Sequence, residues 1–145
     1  MKLVVQRVSE AAVRIGGVVR GQIGPGLLVL VGIAPTDTAA DVPRVARKLA
    51  DLRILADEAG KMNRSVRETG GNILLISQFT LLADTRKGNR PSYLGAAPPA
   101  VAIPLYEALI RAMETELGHP IQTGEFGADM QVSLINDGPV TIIIE

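Results

Sequence analysis

Two runs with almost no polar residue constrain this chain most. Residues 27–33, LLVLVGI, and 73–79, ILLISQF, show no apolar–polar alternation, so a strand formed by either must be covered on both faces. Gly24-Pro25-Gly26 makes a turn that launches the first run. Around them, residues 2–8 and 11–20 read as strands joined or bent at Ser9–Glu10 and Gly16–Gly17, the paired glycines favouring a tight hairpin. Between the runs the period changes. Val42, Val45, Ala46, Leu49 and Leu52 recur at helical spacing through about Leu55, with Thr36, Asp37 or Thr38 as the cap and Pro43 tolerated in the first turn. Asp57–Gly60 breaks the chain. Val101, Leu105, Ala108, Leu109 and Ala112 predict a second helix to about Leu117, ended by Gly118 and Pro120. Met130–Ile135 and Val140–Glu145 read as strands separated by Asn136-Asp137-Gly138-Pro139.

Two convincing helices for six to eight strands are too few for a doubly wound fold. The expected class is mixed α+β: a β-rich, mixed-sheet or barrel-like structure with two main helices against one side. With 145 residues and no linker or repeat, residues 1–145 form a single expected domain. The apolar strand 141–145, if it lies at an edge, invites a partner.

Composition removes several kinds of chemistry. There is no Cys, which excludes disulfides and thiolate nucleophiles and is compatible with a reducing compartment. One histidine, His119, cannot build a common zinc site, and its place after a helix-ending glycine suits it to bond the last helical carbonyls. Neither a GxSxG nor a Walker pattern occurs, and no metal or cofactor is expected. No apolar window is long enough for a membrane span or a signal-peptide core, so a cytoplasmic location is expected. The 15 basic and 15 acidic residues cancel, arguing mildly against a large phosphate footprint but not against a local one.

Three features remain. Ser77-Gln78-Phe79-Thr80 puts hydroxyls, an amide and free backbone N–H groups at the end of an apolar strand, as either a pocket wall or a fraying strand end. Arg86, Lys87 and Arg90 cluster with Gly88 and Asn89 in a long aperiodic segment, residues 83–98, as either a phosphate-holding loop or a solvated one. Asn136–Pro139 reads as a hairpin turn or as a rigid backbone wedge.

Together these stretches resemble the D-aminoacyl-tRNA deacylase family of the D-tyrosyl-tRNA deacylase type. The likeness runs from VVQRVS at 4–9 through GQIGPGLLVLVG at 21–32, KMN at 61–63 and SQFTLLADTRKGNRPSY at 77–93 to GEFGADMQVSLINDGPVT at 124–141. The resemblance implies that family's fold and a homodimer with active sites at the subunit interface. Ser77, Gln78, Phe79 and Thr80 would line the site. Gly138-Pro139, cis in the family, would enter the partner's pocket, seated by Arg7. It further implies hydrolysis of D-aminoacyl esters at the 3′ acceptor end of tRNA, rejection of L-aminoacyl esters, entry of glycyl esters on alanine tRNA, and tRNA contacts at Arg86, Lys87 and Arg90. Leu82 and Tyr93 depart from the tyrosine and phenylalanine of many relatives. A related editing fold with a trans Gly–Pro, and a non-catalytic dimeric module that binds RNA ends, are the competing readings.

Overall fold

The computed structural model describes all residues, Met1–Glu145. Eight strands and three α-helices follow the chain: β1 (Lys2–Ile15), β2 (Val18–Ile23), β3 (Gly26–Gly32), α1 (Asp41–Asp51), β4 (Leu55–Ala56), β5 (Met62–Arg64), α2 (Val66–Thr69), β6 (Asn72–Ser77), a 3₁₀ turn (Phe79–Leu82), α3 (Pro99–Leu117), β7 (Gln122–Thr123) and β8 (Gln131–Ile144).

The two apolar runs pair with each other as β3 and β6, in parallel, from Gly26↔Asn72 to Val31↔Ser77. Both faces are covered, as their composition requires. Leu27, Val29, Val31, Ile73 and Leu75 point into one core with α1 and α3, while Leu28, Leu74 and Ile76 point into a second core. Gly26 lets the pair close, because a Cβ there would fall inside the Asn72 carbonyl.

Sheet order is β2-β1-β3-β6-β7, with β8 along the other side of β1. The ends of this path curl toward each other, where the Gln22 N–H reaches Gln122 Oε1 at 3.4 Å, and the sheet becomes a nearly closed barrel around the second core. The helices pack on its other face, α1 against α3, as the mixed α+β class predicts.

Several boundaries differ from the sequence expectation. Residues 2–15 form one strand, and the joint at Ser9–Glu10 is a bulge: two steps from Val8 to Glu10 oppose one from Asn136 to Ile135. That extra residue reverses which face each side chain takes. Leu3 and Val5 enter the helix-facing core, whereas beyond the bulge the odd-numbered Ala11 and Val13 enter the barrel, where Val8 already points by ordinary alternation. Helix α1 starts at Asp41, not at 36–38, because Asp37 is engaged by the Met1 amino group (2.6 Å) and the Ala34 N–H (2.7 Å). It ends at Asp51 rather than Leu55, since Leu52 is already extended. The small hairpin β4–β5 and the helix α2 were not legible as elements. The second is a single turn fixed by the capping box of Ser65 and Glu68. Helix α3 contains Pro104 near its start and ends at Gly118, as expected. His119, however, bonds the Pro120 carbonyl (2.9 Å) and not the helix end.

The largest correction concerns residues 136–139. They do not turn the chain back. β8 runs continuously from Gln131 to Ile144 antiparallel to β1, with an excursion: two steps on β1, Gln6 to Val8, oppose five on β8, Asn136 to Thr141. β8 pairs with no other strand and therefore is an edge, as anticipated for the last strand.

Tyr106 ties α3 to the sheet through its hydroxyl, which donates to the Leu75 carbonyl at 3.0 Å. Burial pushes this phenol up to about 12, with Arg20 opposing the rise. Because the unfolded side chain titrates near 10, the native state holds its proton longer. Stability is then full below about pH 10 and falls as pH rises toward about 12. Tyr106→Phe is expected to cost roughly 1 kcal/mol at pH 7 and to flatten that alkaline decline, as read by urea denaturation across pH.

Candidate active site

Ser77 ends β6, and Gln78 leaves the strand while its N–H still bonds the Val31 carbonyl at 2.7 Å. The chain then tightens into the 3₁₀ turn. Leu81 N–H donates to the Gln78 carbonyl (3.1 Å), so the N–H groups of Phe79 and Thr80 have no acceptor inside the turn. The Gln78 side-chain amide donates to Thr80 Oγ1 at 2.5 Å. Phe79 is exposed, with its ring edge against Tyr93 at a centroid distance of 5.2 Å. The strand end thus presents two backbone donors, an amide and a hydroxyl beside an aromatic rim. Ser77, Gln78 and Phe79 line a narrow crevice with Ala97, Ala102 and Phe126. Phe126 was not singled out from the sequence. Its only signal was its place in the GEFGAD stretch, far from residue 77 along the chain.

The loop cations are not equivalent. Arg86 forks onto Asp84, with Nε 2.9 Å from Oδ1 and Nη2 2.7 Å from Oδ2, and this guanidinium holds the Asp84 carboxyl below the usual carboxylate range. Lys87 and Arg90 are exposed and make no ion pair. The loop is closed at its base by a bridge between Asp84 and Ser92, directly after the 3₁₀ turn in the chain.

Arg7 seats the β8 excursion. Its Nε donates to the Asp137 carbonyl at 2.9 Å, and its Nη1 donates to the Ile54 carbonyl at 2.9 Å. Gly138 has φ +132°, and a Cβ there would lie 2.9 Å from Arg7 Nη2, so both backbone and space call for glycine. The Gly138–Pro139 bond is cis. A second brace, missed from the sequence, lies on the opposite face of β1. Gln6 Oε1 accepts from Asn136 Nδ2 (2.5 Å) and Thr141 Oγ1 (2.7 Å), while Asn136 Oδ1 accepts the Val140 N–H at 3.1 Å. The excursion is held at both ends, with Asp137, Gly138 and Pro139 exposed between them.

The two features do not meet within one chain. Arg7 pairs with Leu27 of β3, and Gln78 bonds Val31, so they are separated by roughly 13 Å along the strand at about 3.3 Å per residue. They also open into different hollows, one lined by Arg7 and Asp137 and the other by Ser77, Gln78 and Phe79. His119 lines neither, and no cluster of three or more metal-ligating side chains exists. The arrangement can donate hydrogen bonds to a carbonyl oxygen and exclude volume. It carries no paired base and nucleophile.

Comparison with known proteins follows the same outline. The family profile described as D-Tyr-tRNA(Tyr) deacylase matches residues 4–145. The D-aminoacyl-tRNA deacylase of Akkermansia muciniphila is 59% identical over 145 residues, covering 100% of this chain and 97% of that protein. That of Parabacteroides distasonis is 57% identical with the same coverage. Among solved structures, a c-Myc DNA unwinding element binding protein is 41% identical with a TM-score of 0.93, covering 100% of this chain and 98% of that one. A structure titled a probable eukaryotic D-amino acid tRNA deacylase shares the fold at 15% identity and TM-score 0.87, covering 99% and 97%. The chain belongs to the D-Tyr-tRNA(Tyr) deacylase family.

Proposed function

We propose that this protein hydrolyses the ester of D-aminoacyl-tRNA, releasing tRNA and the free D-amino acid, and that it does so as a homodimer whose active site is shared between subunits. The observation that carries the shared site is the separation along β3: the donor-rich strand end and the seated Gly138-Pro139 lie too far apart in one chain to form a single pocket. A second copy supplies the missing wall. The unpaired edge of β8 and its exposed Ile135 and Ile143 offer surface for that association.

Ser77 and Phe126 would border the pocket, and Gln78 would hold the adenosine or amino-acid end. The Phe79 and Thr80 N–H groups would stabilise the ester carbonyl as negative charge develops on its oxygen. Water attacks that carbonyl, the tetrahedral adduct collapses, and the ribose oxygen leaves with a proton. Thr80 is a poor nucleophile in this setting. Its oxygen already accepts the Gln78 amide, and no histidine or carboxylate stands beside it to take its proton. Its role is positioning, and the terminal ribose 2′-hydroxyl with backbone groups would carry the acid–base work.

Chirality would be read by exclusion. Backbone and ring atoms of Gly138-Pro139, held by Arg7, fill the volume an L side chain needs, while a D side chain points outward. Glycine, having no side chain, passes, which extends the activity to glycyl-tRNA(Ala). Lys87 and Arg90, with Arg86 where it leaves Asp84, would meet phosphates of the acceptor end. The tRNA substrate implies a cytoplasmic setting, and no helix is long and apolar enough to cross a membrane.

The first test is hydrolysis of matched D-Tyr-tRNA, L-Tyr-tRNA and Gly-tRNA by purified protein. Loss of the D and glycyl esters with the L ester spared is expected. Cleavage of the L ester would overturn the chiral filter, and saturable tRNA binding without cleavage of any ester would mark a binding module. Thr80→Ala should retain turnover within about tenfold, since positioning by one hydrogen bond is worth about 1 kcal/mol. A loss of many orders of magnitude would make Thr80 the nucleophile. Arg7→Ala removes two charge-assisted bonds to backbone carbonyls, and D-Tyr-tRNA turnover should fall roughly 10–100-fold. L-Tyr-tRNA should lose part of its protection in the same hydrolysis assay.

A further inference from the structure

We infer that the outer face of α1 is a second nucleic-acid contact, a docking surface for the sugar–phosphate backbone of the tRNA away from its 3′ end; this rests on the tRNA reading above. The helix buries Val42, Val45, Ala46, Leu49 and Ala50, and the face turned to water carries Arg44, Arg47 and Lys48. With a rise of 1.5 Å per residue these three cations fall within about 6 Å along the axis. They border a shallow hollow with Arg53, in which Asp51 is the only carboxylate. Four cations to one acid is a strong local excess in a chain of 15 basic and 15 acidic residues.

Of these, Arg44, Arg47 and Lys48 are available, whereas Arg53 already donates to the Asn63 carbonyl and side chain. Arg67 engages Asp51 at 2.7 Å and Glu116 at 2.6 Å, taking up two of the three carboxylates beside the patch. Arg44 and Arg47 are left with contacts of 3.8 Å to Asp41 and 3.9 Å to Glu116, and their side chains are 60% and 69% exposed. Lys48 forms no ion pair. Shape and chemistry favour a polyanionic backbone over a small anion: the hollow is open, its cations lie along a line, and no buried donor converges on a point. Placement agrees. β3 and β6 both run toward the end of the sheet that holds Gln78, and α1 begins shortly after β3 leaves that same end. The patch therefore extends from the site end down the flank of the molecule, where a stem leading away from a bound 3′ end would lie.

The test is binding of deacylated tRNA across a salt series, compared between the wild-type protein and the variant Arg44→Gln/Arg47→Gln/Lys48→Gln. The variant should bind roughly 10–100-fold more weakly at low salt, and the slope of log K against log salt should shrink by about two to three, at 0.7–0.9 per phosphate contact. Arg44→Lys/Arg47→Lys should keep affinity within about threefold, because a backbone contact needs charge more than fork geometry. If the triple variant melts early, Lys48→Glu alone gives the same reading, with several-fold weaker binding and a slope smaller by about one. An unchanged constant and slope in a folded variant would overturn the surface. Because deacylated tRNA is the probe, this outcome is separate from the reaction. Failure to cleave any ester, with charge-dependent binding intact, would sink the deacylase reading and leave this surface standing.

Discussion

The structure depends on the pairing of β1 with three other strands and on the one extra residue in it. Residues 2–8 pair with β3, residues 11–15 with β2, and nearly the whole length with β8. A regular strand of this length would keep one face inward throughout. The bulge between Val8 and Glu10 instead turns Leu3 and Val5 toward the helices and Ala11 and Val13 toward the barrel. One strand thereby closes two cores. The parallel pair β3–β6, apolar on both sides, is the partition between them.

The same strand links fold to site. Arg7 lies on the helix side of β1, just before the bulge, and its guanidinium joins the segment that follows α1, through Ile54, to the excursion of β8. Gln6, its neighbour on the other face, braces the excursion from behind through Asn136 and Thr141. Two adjacent residues of opposite orientation hold one exposed backbone element. Rigidity of this kind suits discrimination by shape, which fails if the excluding wall can yield. The strand end at Ser77–Thr80 is built on the opposite logic. Its donors are left free because the chain leaves the sheet and tightens before the next ladder bond can form.

Much of the architecture was legible because it is written in local periods. The unbroken apolar runs gave β3 and β6, the helical spacing of Val42, Val45 and Leu49 gave α1, and Gly118 marked the end of α3. Single-turn elements such as α2 escaped, having too few residues to establish a period, although the Ser65–Glu68 box was present as a local cue. The N-terminal limit of α1 was misplaced because Asp37, a good capping residue, has a stronger claim on it from the Met1 amino group, a contact made by tertiary folding. The NDGP stretch misled for a related reason. Its residue types suit a turn, but the pairing of β8 with β1 on both sides of it keeps the chain on course.

By itself the sequence determined the class of the fold, the faces of its main elements, the absence of thiol chemistry and, through its long motifs, the family. These are properties of composition and of short windows, where side-chain period and backbone preference act directly. Tertiary structure alone decided the bulge in β1, the excursion of β8, the seating of Gly138 by Arg7 and the distance between that seat and Gln78. Those features depend on which residues face one another across strands far apart in sequence. Strand register is a collective choice of many weak contacts, and no single window contains it.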